Sequence, residues 1–204
     1  MNNQQQNQNL TGTSQMPANI SHGGHELLDV HEALGGLVGG MEQYVIYEQH
    51  VQDPQLKTMM QQHKAYLTQT YNSIVETLKT GNEPSTKTQT YNMATSNDVI
   101  YGMKPSQPKK PAQSVSEIND ECITGFMMGI LKSNASAFTM TALESTNPVM
   151  RRVFADSIPH VIEMAYELFL YQNKHQYYQV PQLKQEDMQN YMNSFAPIQG
   201  TLPH

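Results

Sequence analysis

The sequence predicts an all-α protein: a four-helix bundle of two antiparallel helix hairpins joined by a long crossover loop, with a short C-terminal helix. Three observations lead there. Long stretches carry apolar residues at helical spacing. Two helix starts share a cap-plus-proline signature, Asp53-Pro54 and Asn147-Pro148. The two halves of the chain also match under a gapless shift of 94 residues, which superposes those starts and sets Gly35 on Gly129, Leu37 on Leu131, Tyr44 on Phe138 and Met59 on Val153.

Residues 1–20, rich in Gln and Asn, hold too few large apolar side chains to offset the entropy of ordering and read as a disordered tail. The first helix is expected from about Gly24 to Val51, with Leu27, Val30, Leu34, Leu37, Val38, Met41, Tyr44 and Val45 along one face. The second starts at Asp53-Pro54, buries Leu56, Met60, Leu67, Ile74 and Leu78, and stops at the glycine and proline of "GNEP". The segment 81–115, with Pro84, Pro105, Pro108 and Pro111, has no sustained period and reads as the crossover loop. A capping-box pattern, Ser114 with Glu117, opens the third helix near Ser116, and Asn147-Pro148 opens the fourth, which runs to about Lys174. Leu183, Met188, Tyr191, Met192 and Phe195 fit a short amphipathic helix, followed by a flexible tail.

The expected organisation is thus a tail at 1–20, a bundle at 21–182 (hairpin 24–80, crossover loop 81–115, hairpin 116–178), and a short helix with its tail at 183–204. Short joints make each hairpin antiparallel, and a linker of about 30 residues easily runs back along a helix of about 37 Å. One long crossover between two hairpins is the ferritin-like arrangement.

A formal net charge of −6 with only 12 Lys plus Arg argues against a nucleic-acid partner. No apolar run approaches a membrane span, and the opening MNNQQQNQNL is unlike a signal peptide, so synthesis on the cytosolic side is expected. The lone Cys122 excludes an internal disulfide framework and reads as a small buried apolar residue. Fourteen Met and no Trp suit a helical core packed without the largest aromatic.

"LGGLVGG" places Gly35, Gly36, Gly39 and Gly40 in mid-helix, each costing about 1 kcal/mol against Ala. Either another backbone approaches closely there, or the helix kinks or splits. "HGGHELLDVHE", residues 22–32, crowds His22, His25, Glu26, Asp29, His31 and Glu32 together. It reads as a helix start whose acids suit the dipole, with weak surface metal affinity at most. Arg151 and Arg152 sit unfavourably at the positive end of the fourth helix; either Glu144 neutralises one of them, or one binds a partner's acid.

Ferritin-like di-metal proteins take a Glu from each of two helices and Glu-x-x-His from each of the other two. Here no Glu-x-x-His occurs, and the second helix holds one carboxylate, Glu76. The available ligands are His31, His63, His160, Glu163 and Glu167. His31 and His63 lie among apolar residues and read as core histidines; Asp156, His160, Glu163 and Glu167 share one stripe and read as a solvated face or a protein contact. Nor does any nucleophile motif appear. No catalytic, cofactor-binding or metal residue is therefore assigned.

"ALESTNPVMRRVFADSIPHVIEMAYELFLYQNKHQYYQVPQL", residues 142–183, resembles the coat F domain of spore coat proteins from endospore-forming bacteria. The matching features are Glu144, the Asn147-Pro148 start, Arg151 and the pair Tyr177-Tyr178, where many relatives carry Trp. The resemblance implies a ferritin-like bundle without di-metal ligands, made in the mother cell and deposited in the spore coat. It implies a non-enzymatic structural role through homo-oligomers and contacts with other spore coat proteins, with no cofactor, nucleic acid or membrane involved. Its Tyr, Gln and Lys content would suit cross-linking there. The alternative is a ferritin-like metal-dependent redox enzyme or metal store with a degenerate ligand set.

Overall fold

The computed structural model describes residues 11–198. It is all-helical, with helices α1 (Gly24–Glu48), α2 (Pro54–Thr80), α3 (Asp120–Glu144), α4 (Pro148–Lys174) and a short α5 (Gln185–Met192). The four long helices form a bundle in which α1 packs on α2 and α3, and α4 packs on α3 and α2. The shift of 94 residues carries the bounds of α2 onto those of α4, both of 27 residues, while α1 and α3 both have 25. The repeat read from sequence is thus a repeat of structure.

The caps act as their chemistry requires. Asp53 Oδ1 accepts the Gln55 N–H at 2.7 Å, and Asn147 Oδ1 accepts the N–H groups of Val149 and Met150 at 2.9 and 3.0 Å. α2 ends on Gly81, whose φ of 68° suits glycine and whose missing Cβ would lie 1.8 Å from the Ala18 carbonyl oxygen. That contact exists because residues 11–20, expected to lack structure, carry two 3₁₀ turns, Thr13–Gln15 and Ala18–Ile20. Residues 1–10 of that tail, and 199–204 of the C-terminal one, lie outside the described residues.

α3 begins later than the capping-box pattern suggests. Glu117 accepts the Gln113 N–H at 3.1 Å and closes a separate 3₁₀ turn, Val115–Glu117, whereas Asn119 caps α3 by accepting from the Cys122 N–H at 3.1 Å. Cys122 is half-buried in that first turn, not sealed in the core.

On α1 the buried residues are Glu26, Val30, Ala33, Leu37, Gly40 and Tyr44, spaced four and three apart as in a heptad seam. The expected face is therefore rotated, since Leu27, Val38 and Val45 are exposed. Small residues decide it: at Gly40 a Cβ would come within 2.8 Å of Ile130 Cγ2 on α3. α1 runs unbroken through its glycines, and close approach at Gly40 is what the bundle uses.

The crossover climbs from the Gly81 end of the bundle to the Asp53 end, tied down as it goes. Ser73 Oγ donates to the Thr86 carbonyl at 3.0 Å. Higher up, buried Asn173 of α4 accepts the Ile100 N–H at 2.6 Å and donates to the Ile100 carbonyl at 2.9 Å. Gly102 N–H then donates to the Val180 carbonyl at 2.8 Å. α5 follows with every residue exposed. Among the described residues no helix is long and apolar enough to cross a membrane.

Candidate functional site

Two groups of ionisable side chains are built into the bundle. The first is in its core, where α2 supplies His63, α4 supplies Glu167, α1 supplies Tyr44 and the crossover supplies Tyr91. Both Glu167 oxygens are in use: Oε1 accepts the Ala94 N–H at 2.7 Å, and Oε2 accepts the Tyr91 hydroxyl. His63 Nε2 lies 3.8 Å from Glu167 Oε2, an ion-pair distance and too long for a hydrogen bond. On the other side of the ring, Nδ1 is 3.5 Å from the Tyr44 hydroxyl.

Burial opposes the charge on Glu167, but the His63 ring, the Tyr91 hydroxyl and the Ala94 N–H together hold its pKa below the ordinary carboxylate value. Burial also lowers the pKa of His63, and the neighbouring carboxylate only partly counters this. The pair is thus a carboxylate beside a neutral imidazole. With the proton on Nε2, the ring points an N–H at Glu167 and leaves Nδ1 to accept from Tyr44. Tyr91 and Tyr44 have hydroxyl pKa values pushed far above the usual phenol range, chiefly by burial, and remain protonated donors.

Of the candidate ligands, the structure brings together only His63 and Glu167. His160 is half-buried nearby and accepts the Tyr91 N–H on Nδ1 at 3.3 Å. Glu163 is half-buried on the same helix, and His31, expected in the core, is exposed. Among the described residues no three His, Cys, Asp or Glu side chains converge in a way that could hold a metal. The stripe on α4 is also not one solvated face, because Glu167 turns inward and is 1 % exposed. Sequence reasoning missed this since the partners of Glu167 come from α2 and from a loop, at no fixed spacing. Tyr91, an isolated aromatic in a Pro- and Thr-rich stretch, was the available signal.

The second group is a pair of reciprocal clasps. Glu26, 0 % exposed, accepts on Oε2 the N–H groups of Thr146 and Asn147 at 2.8 and 3.0 Å and the Thr146 hydroxyl at 2.7 Å. Its Oε1 lies 2.7 Å from His22 Nδ1. At the opposite end Asp120 accepts the N–H groups of Gln52 and Asp53 at 2.9 and 3.0 Å. These are the same positions under the shift of 94 residues. Each half thus uses a carboxylate in the first turn of its first helix to bind the chain just before the other half's second helix. Glu26 is therefore not only a dipole-friendly residue of a polar helix start: burial works against its charge, yet the hydrogen bonds hold its pKa below normal. The expected pairing of Glu144 with Arg151 or Arg152 does not form; Glu144 is exposed and makes no ion pair with either.

Residues 119–181, covering α3, α4 and the strand-like return that meets Gly102, match the Coat F domain. Over 181 residues, 89% of this chain, the sequence is 48% identical to the spore coat protein F-like protein YhcQ of Bacillus subtilis (strain 168), and 83% of that protein is covered. The chain belongs to the coat F family. No solved structure matches it at a significant level.

The matched coat F segment is half of a bundle. It holds Glu167, Asn147 and Asn173, whereas Tyr44, His63 and Glu26 lie on α1 and α2 outside it. Both the core cluster and the clasps join the coat F hairpin to the hairpin before it.

Proposed function

We propose that this coat F family protein is a structural component of the spore coat, without catalytic activity, that acts by associating with itself and with other coat proteins. The name of the similar protein from Bacillus subtilis supports the location. The observation that carries the mode of action is where the side chains point. The ionisable groups of the core are sealed and matched to one another, His63 at 0 % and Glu167 at 1 % exposure, so a substrate has no contact with them. Large apolar side chains stand outside instead, among them Leu28, Phe126, Leu143 and Ile162 on the bundle and Tyr191, Phe195 and Ile198 near the C-terminal end. Exposed apolar surface spread over several faces suits a protein with several neighbours.

The test is to localise a tagged chain in sporulating cells and to run the purified protein in sedimentation velocity. Coat-fraction enrichment and concentration-dependent association support the proposal. A chain that stays in the mother-cell soluble fraction and sediments as a monomer at all concentrations would overturn it. The second reading is a metal-dependent redox enzyme or metal store of ferritin-like type, for which His63 and Glu167 are the pair of candidate ligands that lie together. Near-stoichiometric metal after growth with iron, manganese and zinc, lost in His63→Ala, would put that reading in its place.

A further inference from the structure

A cavity of about 770 Å³ opens where the crossover leaves α2 and α4 begins. Its lining includes the apolar Pro84, Val149, Val153 and Pro159, together with Lys87, Arg151 and Arg152 and two carboxylates, Glu83 and Asp156. Neither arginine forms an ion pair among the described residues, and both lie in the first turns of α4, where the helix dipole adds positive potential. In a chain of net charge −6 this is a locally cationic, partly apolar hollow.

The matching chemistry is on α5. Its first turn carries Glu186 and Asp187, and Met188, Tyr191 and Met192 follow, with Phe195 just beyond. Tyr191 is 72% exposed and Phe195 88%. An isolated amphipathic helix of 8 residues gains too little from its own hydrogen bonds to be stable without a surface to cover.

A chain's own α5 is at the wrong end. Val180 is bonded to Gly102 near the end of α4, and the chain from Val180 to Glu186 spans at most about 20 Å fully extended. Arg152 lies 22 residues before Lys174 on the same helix, about 33 Å away along its axis.

We propose that α5 of one chain docks in the cavity at the start of α4 of a second copy, with Glu186 and Asp187 on Arg151 and Arg152 and the apolar side chains against the prolines and valines that line it. The contact joins two different surfaces, so it leaves the pair with a free α5 on one chain and a free hollow on the other. Unless its rotation closes a ring, such a head-to-tail contact propagates into an open array. This inference rests on the self-association proposed above and names the surfaces that would carry it.

The experiment is sedimentation velocity on the full chain across a concentration series, with Arg151→Glu/Arg152→Glu, Glu186→Lys/Asp187→Lys, and an equimolar mixture of the two. Circular dichroism melts confirm that each variant is folded. Each double variant alone is expected to lose at least tenfold in association. In the mixture, the reversed α5 of one protein meets the reversed hollow of the other while the unaltered α5 of the second meets the unaltered hollow of the first, and association is expected to return with the two proteins in alternation. Wild-type association that neither reversal weakens would overturn this docking while leaving self-association standing. Reversals that weaken it with no recovery in the mixture would overturn the pairing of these charges. A wild-type chain that is monomeric throughout would overturn both.

Discussion

Two carboxylates show what a side chain gains from partners distant in sequence. Glu26 is fully buried, and its loss would strand the N–H groups of Thr146 and Asn147. Glu26→Ala is expected to cost about 3 kcal/mol in chemical denaturation. Asp120→Ala, at the half-buried clasp, is expected to cost about 1 kcal/mol, because water can reach the orphaned donors. The histidine sets the pH response. The folded-state pKa of His63 is depressed below the ordinary value of 6.5, so the unfolded chain binds its proton first as the pH falls. Stability from this group is complete above about pH 6.5 and declines below it. Glu26 and Glu167, also depressed, keep their contribution down to about pH 4.5 and lose it as the pH falls through their folded-state values. Melts from pH 7.5 to 5 are expected to show a falling Tm that flattens in His63→Phe; an unchanged slope in that variant would rule out His63 as the source.

At the scale of elements, the glycines separate by what faces them. A methyl group at Gly35 would meet nothing within 4 Å, so Gly35→Ala is expected to stabilise by about 0.5–1 kcal/mol through helix propensity alone. Gly81→Ala meets both a positive φ and the Ala18 carbonyl, and is expected to lower the Tm by several degrees and release residues 11–20 to proteolysis. A Gly81→Ala protein with an unaltered melt and digestion pattern would show that the turn at Ala18–Ile20 does not pack there in solution. The helices themselves were legible because their signals are local. A cap atom and the N–H it accepts lie two or three residues apart, so Asp53-Pro54 and Asn147-Pro148 could be read directly.

The whole molecule is two repeats that complete each other. The coat F match begins at residue 119, and the α3–α4 hairpin that it covers lacks Glu26 for its own turn and the α1–α2 side chains of its core. An excised 119–181 fragment is therefore expected to be largely unfolded by circular dichroism, and to gain helicity when mixed with residues 11–118. A fragment that melts cooperatively alone would show that the clasps are dispensable.

By itself the sequence determined the helix count, the two hairpins, the long crossover, the 94-residue repeat and the resemblance to the coat F domain. All of these rest on spacing along the chain or on short-range capping. Tertiary structure alone decided which face of α1 turns inward, because Ala33 and Gly40 admit α3 where the larger Leu27 and Val38 would hold it away. It also decided that Glu167 and Glu26 are buried and charged, since the donors that compensate their burial come from Tyr91, Ala94, Thr146 and Asn147. A carboxylate in a helical sequence looks the same whether water or a folded neighbour will solvate it, and only the packing of distant segments supplies the neighbour.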